Sequence, residues 1–210
     1  MKSDSKFLTL YAVTDSANIP TTELCRQVKA ALEGGITCLQ LRDKGLSGER
    51  LLHRAEKIRE LCREYGVPFI VNDDVETAVR SCADGVHVGQ TDLAAAAARK
   101  LIGPDMILGV SANTVADALK AQAAGADYIG VGAVFATNTK KDADAVSIQT
   151  LTDICAAVDI PVVAIGGIKE SNIGALRGSG AAGVAVVSAI FSAPDITEAC
   201  RRLKALARQI

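Results

Sequence analysis

Eight short runs of Val, Ile, Leu, Ala and Gly recur along this chain of 210 residues, at 7–13, 36–41, 68–71, 85–88, 107–110, 127–131, 162–165 and 183–187. Each is nearly continuous in apolar residues and lacks the alternation of a half-exposed strand. That pattern marks strands buried on both faces of a parallel sheet. Between the runs, helix formers with apolar residues at helical spacing occupy 21–33, 47–65, 74–82, 92–102, 114–124, 147–158, 171–179 and 195–209. Alternating strand and helix signals predict α/β architecture, and eight strands are the number that closes a TIM (β/α)8 barrel. An open doubly wound sheet is the alternative.

A loose internal repeat supports the same reading. Ala31-Leu-Glu-Gly-Gly-Ile, Ala118-Leu-Lys-Ala-Gln-Ala-Ala-Gly-Ala-Asp and Ala175-Leu-Arg-Gly-Ser-Gly-Ala-Ala-Gly each lead from a helix through glycine into a strand. Glycine there accepts the left-handed backbone that ends a helix. Thr21 or Thr22, Ser47, Asn113, Ser171 and Asp195 are candidate N-caps, with a side-chain oxygen for free backbone N–H groups. With no linker or low-complexity tract in view, residues 1–210 read as one barrel domain.

Seven of the runs end abruptly in polar or backbone-exposing groups: Gln40-Leu41-Arg42-Asp43-Lys44, Asn72-Asp73, Gln90-Thr91-Asp92, Ser111, Thr137-Asn138-Thr139-Lys140, Gly166-Gly167 and Ser188. In a (β/α)8 barrel such endings share one rim, so groups distant in sequence meet at one mouth. Composition bounds what that mouth can serve. The 23 basic and 24 acidic side chains leave a formal net charge of −1, so no global field draws nucleic acid or anionic lipid. Trp is absent and aromatic residues are only 3%, which removes the stacking surfaces of a single-strand reader. No apolar run is long enough to span a bilayer, and 7–13 reads as a strand rather than a signal core. Cys25, Cys38, Cys62, Cys82, Cys155 and Cys200 lack metal or redox spacing and read as small apolar residues in a reducing cytoplasm. The expected partners are therefore small molecules, with no nucleic acid and no membrane; oligomeric state is left open.

Several rim groups have a bland reading beside the chemical one. Gly166-Gly167 after the seventh run and Val187-Ser188 after the eighth fit a barrel phosphate site built from backbone N–H groups, or else a tight turn. Asp73 and Asp92 follow neighbouring strands and suit a magnesium ion completed by water and substrate phosphate; each also stands where a helix N-cap would. The absence of His, Cys and Glu from those loops disfavours zinc. Arg42, Lys44 and Lys140 supply the positive charge that a pyrophosphate requires, whereas Asp43 and Lys141 read as solvated charges. Gln40 can read a heterocycle by hydrogen bonds. Thr137 and Thr139 sit in a long segment, 136–146, that reads as a lid. His53 reads as a surface residue on a helix, and His87 as a packing or supporting group within its strand. With so little histidine and no lysine inside a strand, the rim favours electrostatic chemistry over acid/base or Schiff-base catalysis.

The chain resembles the thiamin phosphate synthase family over almost its whole length. The resemblance rests on Gln40-Leu-Arg-Asp-Lys44, Val71-Asn-Asp73, Gly85-Val-His-Val-Gly-Gln-Thr-Asp92, Gly109-Val-Ser111, Gly130-Val-Gly-Ala-Val-Phe-Ala-Thr-Asn-Thr-Lys140, Ala164-Ile-Gly-Gly-Ile168 and Val187-Ser-Ala-Ile190. It implies a transferase that joins hydroxymethylpyrimidine pyrophosphate to a thiazole phosphate, or its 2-carboxy form with loss of CO2, to give thiamin phosphate and pyrophosphate. It further implies that Gln40, Leu41, Arg42, Asp43, Lys44, Asn72, Ser111 and Lys140 bind the pyrimidine pyrophosphate. Among these, Arg42, Lys44, Ser111 and Lys140 would be catalytic. Thr137, Asn138, Thr139, Gly166, Gly167, Val187 and Ser188 would hold the thiazole phosphate, and Asp73 and Asp92 would bind Mg²⁺. Two positions depart from the family: Thr91 replaces a usual acidic residue and Ala133 a usual proline, a change expected to loosen the turn before the lid. A thiazole tautomerase and a non-catalytic sensor of thiamin precursors are the competing readings.

Overall fold

The computed structural model describes residues 5–16, 19–89, 94–136 and 145–210. The eight expected strands form a closed parallel barrel in the order β1 to β8: β1 (Leu10–Val13), β2 (Cys38–Leu41), β3 (Phe69–Asn72), β4 (Gly85–Val88), β5 (Ile107–Ser111), β6 (Tyr128–Val131), β7 (Val162–Ile165) and β8 (Gly183–Val186). Closure is made by β1 against β8, with Tyr11 opposite Ala185. The open doubly wound sheet is thereby excluded.

Strand side chains alternate between two cores. Leu10 and Ala12, Leu39 and Leu41, Phe69 and Val71, Val86 and Val88 face the helices and continue round to Val184 and Val186. The intervening residues Tyr11, Val13, Cys38, Ile70, Ile107, Tyr128, Val163 and Ala185 fill the barrel interior, with Leu8 beneath them. Leu8 belongs to a 3₁₀ turn, Ser5–Leu8, that occupies part of the first expected strand. Continuous apolar sequence is thus explained: both faces of each strand are dry.

The helix layer comprises α1 (Thr21–Glu33), α2 (Gly48–Glu64), α3 (Val75–Arg80), α4 (Ala95–Ile102), α5 (Val115–Ala123), α6 (Ile148–Ala157), a short α7 (Ser188–Phe191) and α8 (Ile196–Ala207). α1 shows why the periodicity works: Leu24, Val28, Ala31 and Leu32 form one buried stripe, and Gly35 then turns into β2 at φ +87°. Gly125 at +89° and Gly180 at +83° serve the other two copies of the repeat. The helix expected at 171–179 is only a 3₁₀ turn, Ile173–Leu176. Gly174 and Gly178 weaken it by about 1 kcal/mol each relative to alanine, and the Asn172 side-chain Oδ1 accepts from the Lys169 N–H instead of capping a helix. Of the expected caps, Asp195 accepts from the backbone N–H of Glu198. Ser47 makes no capping bond, Pro20 precedes α1, and Thr114 rather than Asn113 caps α5. Among the described residues no helix is long and apolar enough to cross a membrane.

Candidate active site

The C-terminal strand ends carry two unlike arcs. On the arc of β1 to β3, Arg42 Nη1 pairs with Asp15 Oδ1 at 2.8 Å, and Lys44 Nζ lies 2.5 Å from Asp73 Oδ2. The β2 loop, the β3 end and the β1 end therefore meet, as the sequence expected of Arg42, Lys44 and Asp73. Asp15 was not anticipated; nothing in its local sequence distinguishes it from a surface carboxylate.

The loop that carries both cations is built on a buried ion pair. Arg54, on the otherwise apolar stripe of α2, donates to Asp43, to the carbonyls of Ser16 and Ile19 and to Thr21 Oγ1. Asp43 also accepts from Ser16 Oγ and from the N–H groups of Gly45 and Leu46. Its side chain is fully enclosed. Asp43 is therefore neither a solvated charge nor a side chain that can touch a ligand: it shapes the turn between Arg42 and Lys44. Leu41 is likewise turned away, because it alternates with the inward Gln40 and packs in the helix-side core. The sequence signal for Arg54 was present as a charged residue at a position of the Leu51, Ala55, Ile58, Cys62 stripe.

Asp73 sits at φ +64°, a left-handed conformation that few side chains other than Asn and Asp adopt, and its N–H donates to the His87 carbonyl at 2.8 Å. The expectation that Asp73 caps a helix is off by one residue. Asp74 is the N-cap of α3, accepting from Thr77 N–H at 2.8 Å, which leaves the Asp73 carboxylate for other work. Lys44 shows that this carboxylate faces a position that takes positive charge. The donor set is a hard oxygen, which suits magnesium rather than zinc. Asp92, Thr137, Asn138, Thr139 and Lys140 lie outside the described residues, as does most of the segment read as a lid.

Among the described residues, the β7 and β8 ends present Gly166, Gly167, Val187 and Ser188, none of them charged. Gly166 and Gly167 adopt φ +100° and +63°. A Cβ on Gly166 would lie 2.5 Å from Ala133 Cα, and one on Gly167 2.5 Å from the Ala136 carbonyl oxygen. Close packing against the β6 loop thus demands glycine irrespective of any ligand. That loop is pinned, with Val134 and Phe135 N–H donating to the carbonyls of Ile165 and Gly166 and Val146 N–H to that of Ala133, so the alanine at 133 does not leave its turn without restraint. Beside Val187 and Ser188 opens a cavity of about 140 Å³, lined also by Thr14, Asp15, Phe191 and Ser192. It joins the two arcs.

Below the rim, Gln40 and Ser111 point into the barrel. Ser111 Oγ is 2.9 Å from His87 Nε2, and Gln40 Nε2 is 2.7 Å from Tyr11 Oη. His87 is the supporting group expected, whereas Tyr11 and Tyr128 were missed. Their signal was two tyrosines inside strands of a chain that holds three. His53 is exposed on α2. The six cysteines are free, and burial raises the thiols of Cys38, Cys62, Cys155 and Cys200, with Cys155 pushed up to about 11.

The family model described as thiamine monophosphate synthase matches residues 10–190. A thiamine-phosphate synthase from Ruminiclostridium cellulolyticum is 50% identical over 203 residues, covering 97% of this chain and 96% of the relative. Another from Clostridium tetani is 48% identical over 195 residues, covering 93% of each. Among solved structures, a thiamine phosphate pyrophosphorylase from Pyrococcus furiosus superposes with a TM-score of 0.88 at 36% identity, covering 97% of both chains.

Proposed function

The chain belongs to the thiamine monophosphate synthase family, and on that premise we propose that its rim joins a pyrimidine pyrophosphate to a thiazole phosphate, forming thiamin phosphate and releasing pyrophosphate. The observation that carries this is the meeting of Arg42, Lys44 and Asp73 at one edge of the mouth, opposite in kind to the uncharged Gly166-Gly167 edge. A departing diphosphate needs concentrated positive charge; a phosphate that is only held can rely on backbone N–H groups.

In this reading Gln40, Arg42, Lys44, Asn72, Ser111 and Lys140 hold the pyrimidine pyrophosphate. Gly166, Gly167, Val187 and Ser188, with Thr137, Asn138 and Thr139, hold the thiazole phosphate. Arg42 and Lys44 take up negative charge as the C–O electron pair leaves with the diphosphate, and Ser111 donates a hydrogen bond to it. The thiazole nitrogen then supplies the pair for the new C–N bond, so no side chain has to remove a proton to create the nucleophile. Asp73 and Asp92 would hold magnesium, which when bound neutralises diphosphate charge and orients the leaving group. Asp73 has a carboxylate free of capping duty, and its φ of +64° fixes its approach. The reaction belongs to the cytoplasm in this reading.

The test is direct. Both substrates are mixed with the protein, with and without Mg²⁺, and thiamin phosphate and pyrophosphate are measured. Equal release of the two products, dependent on Mg²⁺, is expected; interconversion of thiazole isomers alone would replace this reading with a tautomerase.

A further inference from the structure

The segment just past β1, Thr14-Asp15-Ser16, holds Arg42 by its main chain and by its side chain. Thr14 and Ser16 are fully buried although both are polar. Arg42 N–H donates to Thr14 Oγ1 at 2.9 Å, and the Arg42 carbonyl accepts from Thr14 Oγ1 at 3.0 Å and from Ser16 N–H at 3.3 Å. Those bonds offset the lost hydration of the buried groups. Asp15, between them, faces the mouth instead: its Oδ1 accepts from Arg42 Nη1 at 2.8 Å, and its side chain is 46% exposed.

Burial therefore does not explain the Asp15 contact, since a carboxylate so exposed is already satisfied by water. The turn does not need it either. Thr14, Ser16 and the enclosed Asp43–Arg54 pair already hold the β2 loop, so what Asp15 adds is confined to the guanidinium. Attraction of phosphate is no explanation, because Asp15 lines the cavity beside Val187 and Ser188, where a carboxylate repels anions.

The geometry of the pair supplies the reason. Among the described residues, the Arg42 guanidinium donates to Asp15 through Nη1 and to no other group. One bond at one nitrogen anchors the planar fork and leaves its other N–H groups for a ligand. An arginine without that anchor samples many rotamers and loses their entropy each time it binds.

We propose that Asp15 is a positioning residue that aims the Arg42 guanidinium at the departing diphosphate. Thr14 and Ser16 place the Arg42 main chain, and Asp15 sets the direction of its side chain. The proposal deepens the reading of the reaction given above and rests on it.

Asp15→Ala removes the acceptor, whereas Asp15→Asn keeps an acceptor oxygen and removes the charge; thermal melts check that both fold. Asp15→Ala should lower kcat/KM for the pyrimidine pyrophosphate about tenfold. It should also raise the dissociation constant of pyrophosphate, measured with Mg²⁺ and without turnover, about fivefold. Asp15→Asn should stay within about threefold of wild type in both quantities. On an Arg42→Ala background, Asp15→Ala should change either quantity by less than about twofold, because its effect passes through Arg42. Should Asp15→Ala not fold, Asp15→Ser takes its place in the same cycle.

Unchanged kcat/KM, unchanged or tighter pyrophosphate binding in Asp15→Ala, equal losses in the Ala and Asn variants, or a full loss on the Arg42→Ala background each overturns the proposal. If the wild type binds pyrophosphate but forms no thiamin phosphate, the reading of the reaction is what fails, while the dissociation constants still judge Asp15.

Discussion

The two arcs of the rim differ in what they offer an anion. Around β1 to β3 the groups are long charged side chains carried by a loop that the buried Asp43–Arg54 pair keeps in shape. Around β7 and β8 they are glycines and the backbone of a four-residue helix. The interior repeats the division: Gln40, Tyr11, Tyr128, His87 and Ser111 form polar contacts among β1, β2, β4, β5 and β6, whereas Val163, Ile165 and Ala185 are apolar beneath β7 and β8. In the proposed reaction, charge is concentrated where the bond is to break. Backbone suffices where a phosphate must only be anchored, and it keeps that anchor nearly indifferent to the charge changes of the reaction.

Breaking the support of the charged arc should have the largest effect on stability. Arg54→Met leaves Asp43 buried without its partner, for an expected loss of about 3–5 kcal/mol in chemical denaturation, while a folded remainder should still bind thiazole phosphate. Next, Arg42→Ala should lower kcat by roughly 10²–10³, leaving the KM for thiazole phosphate within about twofold in steady-state assays. Gly167→Ala should do the reverse. Its Cβ would strike the Ala136 carbonyl, so a stability loss of about 1–3 kcal/mol is expected with a raised KM for thiazole phosphate. The smallest effect concerns the common interior. The Tyr11 and Tyr128 phenols are raised on folding, so their contribution is complete below the unfolded value of about 10 and is lost as pH climbs past it. Melting temperature should therefore hold up to about pH 9.5 and fall above it, less steeply in Tyr11→Phe.

Much of this is legible in the amino-acid sequence. The strand runs carried the barrel because two buried faces leave no room for polar alternation, and the glycine-terminated repeat placed the ends of α1 and α5 and, in its third copy, the turn into β8. Arg42, Lys44 and Asp73 were legible because charged groups directly after apolar strands have nowhere to go but the rim. Asp43 was misread for a physical reason: whether a charge is solvated or buried depends on a partner eleven residues away on a helix, and no local pattern shows that partner. Gly109 and Gly130 lay inside quoted motifs, yet their purpose emerged only when the Tyr128 and His87 rings stood beside them. The failed helix at 171–179 shows glycine content prevailing over apolar spacing.

The central claim is that the charged arc stabilises the leaving group and not the bound thiazole phosphate. Asp73→Ala tests it most directly when turnover and the dissociation constant for thiazole phosphate are measured on the same preparation. A turnover loss of roughly 10² or more with a dissociation constant changed less than about twofold is the expected result. Parallel loss of both would show that Asp73 shapes the rim as a whole, and the division of labour between the arcs would be wrong.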